Sequence, residues 1–213
     1  MDSGEHTGER STSGTSPEAE TTTRWTAATV YPDMWVDPGD DPRETDSVPG
    51  DEREILLDYL RNYRLTMEMK CAGLDAGQMA RRSVPPSTMS LLGLLRHVAE
   101  DERHFRRVMA GEDTPWLYRT PEDRDGAFTG ALPDEAVVED AWRQWRTESE
   151  LTDRYLAGAT DLGAYNAGFS DLGPEPGGRL QLRDILLAHI VEYARHCGHA
   201  DLLRERIDGR VGQ

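Results

Sequence analysis

The sequence is poor in cysteine and poorer in lysine, with Cys71, Cys197 and Lys70 as the sole examples among 213 residues. Two cysteines cannot make a disulfide scaffold, and such sparing use suits a reducing compartment. The 24 basic residues are thus 23 arginines and Lys70, so Schiff-base chemistry would have to use that one amine. Long apolar runs are also missing. No stretch approaches the roughly 18 consecutive apolar residues that a spanning helix needs, and the polar N-terminus lacks the apolar centre of a signal peptide. A cytoplasmic protein with no membrane partner is expected. Positive charge is scarce as well: 24 basic against 40 acidic residues leave −16 at pH 7, which argues against nucleic acid as a partner.

What is present divides unevenly. Residues 1–50 hold 11 acidic and 3 basic side chains, so half of the net charge lies in less than a quarter of the chain. From Met1 to about Thr23 the composition is Ser, Thr, Glu and Gly, with too little apolar surface to offset the entropy of ordering, and disorder is expected. From Arg24 to Pro49, Trp25, Val30, Tyr31, Trp35 and Val36 stand among four prolines. Regular structure is excluded there, and the segment is expected either to lie extended across the folded body or to serve as a partner-binding arm. The organisation expected is an acidic tail and Pro-rich arm over residues 1–50, then one domain over residues 51–213, since the length allows a single full core.

Within 51–213 the apolar residues recur at helical spacing four times. Leu56, Tyr59, Leu60, Tyr63, Met67 and Cys71 share one face of a helix expected over Asp51–Leu74. A second begins after Pro85-Pro86, capped by Ser87 or Ser90, with Leu91, Leu94, Leu95, Val98, Phe105, Val108 and Met109 as its apolar side and Gly111 as its stop. A third opens at Pro133-Asp134 and carries Val138, Trp142, Trp145, Thr152 and Leu156 to Gly158. The fourth spans about Leu180–Ile207 and aligns Leu182, Leu186, His189, Tyr193, His196, Ala200 and Leu203 before Asp208-Gly209. Alternating strand patterns do not occur. Four amphipathic helices of similar length make an all-α four-helix bundle the economical fold. The links from Gly111 to Leu132 and from Ala159 to Arg179 are long for a bundle. Their aromatic and amide residues, Trp116, Tyr118 and Phe128 in one and Tyr165, Asn166 and Phe169 in the other, either wall a pocket at one end or seal the core.

Apart from His6, the histidines sit in two of these helices: His97 and His104 in the second, His189, His196 and His199 in the fourth. Glu192 and His196, four apart, stack on one helical face about 6 Å apart at Cβ, a spacing at which adjacent turns can share a metal ion. If the second and fourth helices are neighbours, His97 joins them. Two imidazole nitrogens and one carboxylate oxygen suit Zn²⁺, Ni²⁺ or Fe²⁺ with positions left open, the mark of a reactive site. Competing patterns are absent: no HExxH, no paired Glu-x-x-His, no CxxC pair and no G-x-S-x-G elbow. His189 is either a donor to the site or a packed core residue. Asp101 either orients the His97 ring or faces an arginine. Cys197, turned about 100° from His196, belongs to the core, and Gly177-Gly178 reads as a turn.

Two segments carry a resemblance. SLLGLLRHVAEDERHF (Ser90–Phe105) and LRDILLAHIVEYARHCGHADLLRERIDG (Leu182–Gly209) resemble the DinB-like metal-binding four-helix-bundle superfamily, specifically its mycothiol S-transferase branch. The likeness extends more loosely over residues 53–209 and leaves the first 50 uncovered. Many DinB-like proteins hold their metal with one histidine from the second helix and an H-x-x-x-H pair from the last. Here the first of that pair is Glu192, in E-Y-A-R-H, a replacement shared with the related mycothiol-dependent maleylpyruvate isomerase. The resemblance therefore implies His97, Glu192 and His196 as ligands of a divalent ion, Zn²⁺ first among the three, and assigns no further catalytic residue. It also implies mycothiol or a similar thiol as cosubstrate, a small electrophile as acceptor, and a homodimer. Isomerisation or hydrolysis on the same site and a non-catalytic, stress-related bundle stand as the alternatives.

Overall fold

The computed structural model describes residues 22–45, 48–169 and 177–213. The disorder expected from Met1 onward falls outside these residues, Thr22 and Thr23 excepted. Six α-helices follow one another: α1 Glu52–Cys71, α2 Ala76–Met79, α3 Leu91–Ala110, α4 Gly126–Thr129, α5 Glu135–Gly158 and α6 Leu182–Asp208. The four long ones lie within a few residues of the four patterns. Both short ones, a single turn each, are too brief to show a period. Among the described residues there is no strand, and none of the helices is long and apolar enough to cross a membrane.

The helices begin where side chains can satisfy their first free amides. Asp51 accepts from Glu54 N at 2.8 Å, Ser90 from Gly93 N at 3.1 Å and Asp134 from Ala136 N at 2.8 Å. Ser90, not Ser87, thus starts α3, and each cap satisfies a donor that the helix itself cannot. Gly111 and Gly209 stop α3 and α6 in the left-handed conformation.

Side-chain contacts set the directions of the four long helices. Arg183 meets Glu52, Cys197 meets Tyr63 and Arg204 meets Lys70, so α6 runs parallel to α1. Arg64 meets Glu102 and Cys71 meets Leu91, so α3 is antiparallel to α1. Glu102 meets Ser149 and Thr152 while Phe105 meets Tyr155, and the closest packing in the bundle is between α3 and α5. The long link from α3 to α5 carries the chain across the bundle with α4 on the way. That helix rests on α3, where buried Arg96 donates to the carbonyls of Ala127 and Gly126 at 2.9 and 3.0 Å. Two glycines permit this approach. A Cβ on Gly93 would stand 2.7 Å from the Phe128 ring, and one on Gly126 would stand 2.0 Å from the Tyr118 carbonyl oxygen.

The core is the α3 run Leu91, Leu92, Leu94, Leu95 and Val98, fully enclosed by Leu60 and Met67 of α1, Ala141 of α5 and Leu186 and Ala200 of α6. A polar network lies in its midst. Glu102, with no exposed surface, accepts two hydrogen bonds from Arg64 at 2.7 and 2.8 Å and one from the Tyr193 hydroxyl at 2.7 Å. Trp145 donates to that hydroxyl at 2.9 Å, so all four long helices meet at one carboxylate.

The proline-rich arm is held by the last residues of the chain. Trp25 N donates to Gly209 O and Val211 N donates to Trp25 O, at 2.9 and 2.8 Å. Trp35 is 2% exposed and packs under Lys70 Nζ, 3.9 Å from its ring centroid. One 3₁₀ turn, Pro38–Asp40, occurs in the arm where no regular structure is expected, because proline preset at its start needs no amide partner. Lys70 itself is buried, bonded to the Gly212 carbonyl and paired with Asp201 at 2.8 Å, so the one amine open to Schiff-base chemistry is built into the packing.

Candidate metal centre

The antiparallel crossing of α3 and α6 brings His97 opposite Glu192 and His196. Glu192 Oε1 lies 3.1 Å from His97 Nε2 and 3.0 Å from His196 Nε2. The two imidazoles meet edge to face with centroids 4.6 Å apart. One ligating atom from each of the three residues lies within 4.8 Å of the others, and the sequence spacing that pairs Glu192 with His196 is realised on one face of α6. Divalent ions bind imidazole nitrogen and carboxylate oxygen at about 2.0–2.2 Å, so a small side-chain adjustment separates this set from sharing one ion. By donor type and spacing the residues fit a divalent cation.

The electrostatics match. Hydrogen bonds from His196 and His97 hold the Glu192 carboxyl far below the usual carboxylate range, so it presents a charge. Burial pushes the His97 pKa down, but the Glu192 hydrogen bond and the charges of Asp101, Glu192 and Glu100 outweigh it and raise the net value. Side chains of His97 and Glu192 remain about a third exposed, at 30% and 29%.

Around this triad the structure settles what spacing left open. Among the described residues Asp101 is bonded neither to His97 nor to an arginine. Its Oδ2 accepts from His189 Nδ1 at 2.6 Å, because in an antiparallel pair position 101 falls opposite 189 while 97 falls opposite 192 and 196. His189 is 4% exposed and stands between two carboxylates, with Nε2 3.3 Å from Glu102 Oε2 but off the hydrogen-bond axis. Burial opposes its charge, yet Glu102 and Asp101 raise its pKa to about 9. His189 is therefore a core imidazolium paired with Asp101, and both border the hollow that Glu192 also lines. Cys197 is buried, as its turn away from His196 implies.

Two adjacent hollows flank the triad. One, of about 270 Å³, is lined by Phe105, Val108, Ile185 and Glu192; the other, of about 180 Å³, by His97, Trp116 and Phe128. Asp101, His104 and Arg119 border both. The first long loop supplies this wall: Phe128 stacks on the His97 ring at 5.5 Å, and Trp116 lies between His104 at 5.5 Å and the Arg119 guanidinium at 4.1 Å. Tyr118 is turned inward under Arg96, at 3.8 Å. The described residues of the second loop line neither hollow. Its backbone is pinned to the end of α3, with Ala167 N on Met109 O and Gly168 N on Val108 O at 3.1 and 2.8 Å. There Asn166 accepts from Leu180 N, Tyr165 carries Arg179 over its ring and Phe169 faces solvent.

Spacing alone did not single out Arg64, Glu102 or His199. For the first two a signal existed, since each falls on the apolar stripe of its helix, Arg64 between Leu60 and Met67 and Glu102 between Val98 and Phe105.

Comparison with known proteins gives three findings. The family model described as mycothiol-S-transferase matches residues 55–209, well over half of the chain. The crystal structure of a conserved protein from Enterococcus faecalis superposes with a TM-score of 0.50 at 15% identity, covering 75% of this chain and 99% of that one, which is a likeness of fold. No curated protein matches the chain.

Proposed function

The chain belongs to the mycothiol-S-transferase family, and from that premise we propose that it is a metal-dependent transferase that joins a low-molecular-weight thiol, mycothiol or one like it, to a small electrophile in the cytoplasm. The observation that carries this reading is the convergence of His97 Nε2, Glu192 Oε1 and His196 Nε2 at the edge of an aromatic-walled hollow. These three residues would hold the ion, with Zn²⁺ the first candidate and Ni²⁺ and Fe²⁺ compatible with the same donors. A divalent cation bound there supplies the charge that makes a thiol with a pKa of about 8.5 a thiolate at neutral pH.

The protein's own groups do the rest. Glu192 is the one charged donor of the set, so a divalent ion held by it and two neutral imidazoles would keep a net charge of about +1, which would favour an anionic sulfur in a low-dielectric pocket. Phe128, stacked on His97, and Trp116, stacked on His104, wall the hollow in which an electrophile would sit. Asp101, bonded to His189, is already neutralised and does not compete for the cation.

The test is to incubate the Zn²⁺-loaded protein with mycothiol and 1-chloro-2,4-dinitrobenzene and to identify the product by mass. Thioether formation that needs thiol, metal and His196 is expected. Product formed equally fast without thiol would mean hydrolysis, and no product with a panel of electrophiles and thiols would mean a non-catalytic bundle.

A further inference from the structure

His196 is held at both ring nitrogens. Its Nε2 faces Glu192 Oε1 at 3.0 Å, and its Nδ1 faces His199 Nδ1 at 3.3 Å, one turn further along α6, with the ring centroids 5.2 Å apart. A neutral imidazole carries one proton, so a ring that gives Nε2 to a cation keeps its proton on Nδ1. The atom that meets this proton is His199 Nδ1. Among the described residues the other histidine of the triad makes only the Nε2 contact to Glu192 within hydrogen-bond reach, and its ring stacks on Phe128 instead.

We infer that His199 is a positioning residue for the metal site: in its Nε2–H tautomer it accepts the Nδ1–H of His196 and so fixes both the tautomer and the ring plane of that ligand. This rests on the metal reading above and adds a residue to it. His199 touches neither of the two hollows and is not a ligand itself. It is half-buried at the flank of α6, where a change of side chain leaves the core intact. The general pattern is that a metal-bound histidine donates its second N–H to a fixed acceptor, whose loss weakens metal binding about 10- to 100-fold.

The experiment compares the wild type with His199→Phe, which keeps a ring but no acceptor, and His199→Asn, whose side-chain oxygen can stand where Nδ1 stood. Zn²⁺ dissociation constants are measured by chelator competition, with His196→Ala as the control, and ¹⁵N spectra of the Zn²⁺-loaded protein report the histidine tautomers. His199→Phe should weaken Zn²⁺ binding by a factor of about 10–100, His199→Asn should recover most of that loss, and the wild type should show His196 protonated at Nδ1 and His199 at Nε2. Equal affinity in wild type and His199→Phe, or equal losses in both variants, would overturn the assignment. So would a His196 ring protonated at Nε2. If wild type and His196→Ala bind Zn²⁺ equally weakly, the metal reading itself falls and takes the inference with it.

Discussion

Two carboxylates on neighbouring helices each gather histidine, and they do so under opposite conditions. Glu102 of α3 is completely enclosed, and its charge is met by the Arg64 guanidinium, the His189 imidazolium and the Tyr193 hydroxyl. Glu192 of α6 is 29% exposed, has the His97 and His196 rings as its nearest partners among the described residues, and borders one hollow while His97 borders the other. The buried charge is neutralised within the fold and has nothing left to offer a ligand. Among the described residues the open one faces two imidazole nitrogens and no guanidinium closer than Arg195 at 3.8 Å, which leaves it available to the cation proposed above. Residue type is the same at both places, and burial with compensation separates the structural cluster from the one proposed to hold a metal.

Mutation should separate them in the same way. Replacing one partner of a buried ion pair strands the others, at a cost of about 3–5 kcal/mol. Glu102→Gln should therefore lower the melting temperature by about 10 °C or more, whereas Glu192→Gln should change the stability of the metal-free protein by less than about 1 kcal/mol. Thermal and urea unfolding read both. Equal losses would erase the distinction.

Next in size is a pH effect confined to the enclosed cluster. Glu102 and Asp101 raise the His189 pKa from its ordinary 6.5 to about 9. A raised folded-state pKa gives stability that is complete below pH 6.5 and lost as the pH rises through 9. Unfolding free energy should fall across that window by about 3 kcal/mol, and His189→Gln should flatten the slope. A wild-type profile flat from pH 6 to 9.5 would contradict the imidazolium.

A smaller effect is expected from Tyr193→Phe, which removes a hydroxyl that donates to Glu102 and accepts from Trp145 Nε1. The loss should be about 1–2 kcal/mol, since two buried groups each lose a partner. Zn²⁺ affinity should stay within a factor of two or so, because Tyr193 does not touch the triad. A large fall in affinity would show that the two carboxylates are coupled.

Much of this architecture could be read from residue order. Ser90 and Asp134 announce helix starts because a short oxygen side chain before an apolar period has one local use, and the four-residue step from Glu192 to His196 determines a shared face. His97 could be brought to that face only on the condition that its helix is a neighbour. What spacing cannot carry is direction across the bundle. The antiparallel run of α3 and α6 decides that Asp101 meets His189 and not His97, and no pattern within one helix contains that fact. Residue order likewise leaves Asn166, Tyr165 and Phe169 as either a pocket wall or a seal on the core; with Ala167 and Gly168 bonded to the end of α3, these three residues line neither hollow beside the triad. Arg64 and Glu102 were visible as charges on apolar stripes, and only packing shows that they meet.

The most direct test of the open carboxylate is the metal content of the purified, full-length protein after Zn²⁺ loading and gel filtration. About one ion per chain is predicted, as one three-donor set implies, with retention lost in His196→Ala and sharply reduced in His97→Ala and Glu192→Gln while all three variants remain folded. An ion retained equally by wild type and the three variants, or no ion retained by any of them, would contradict the account.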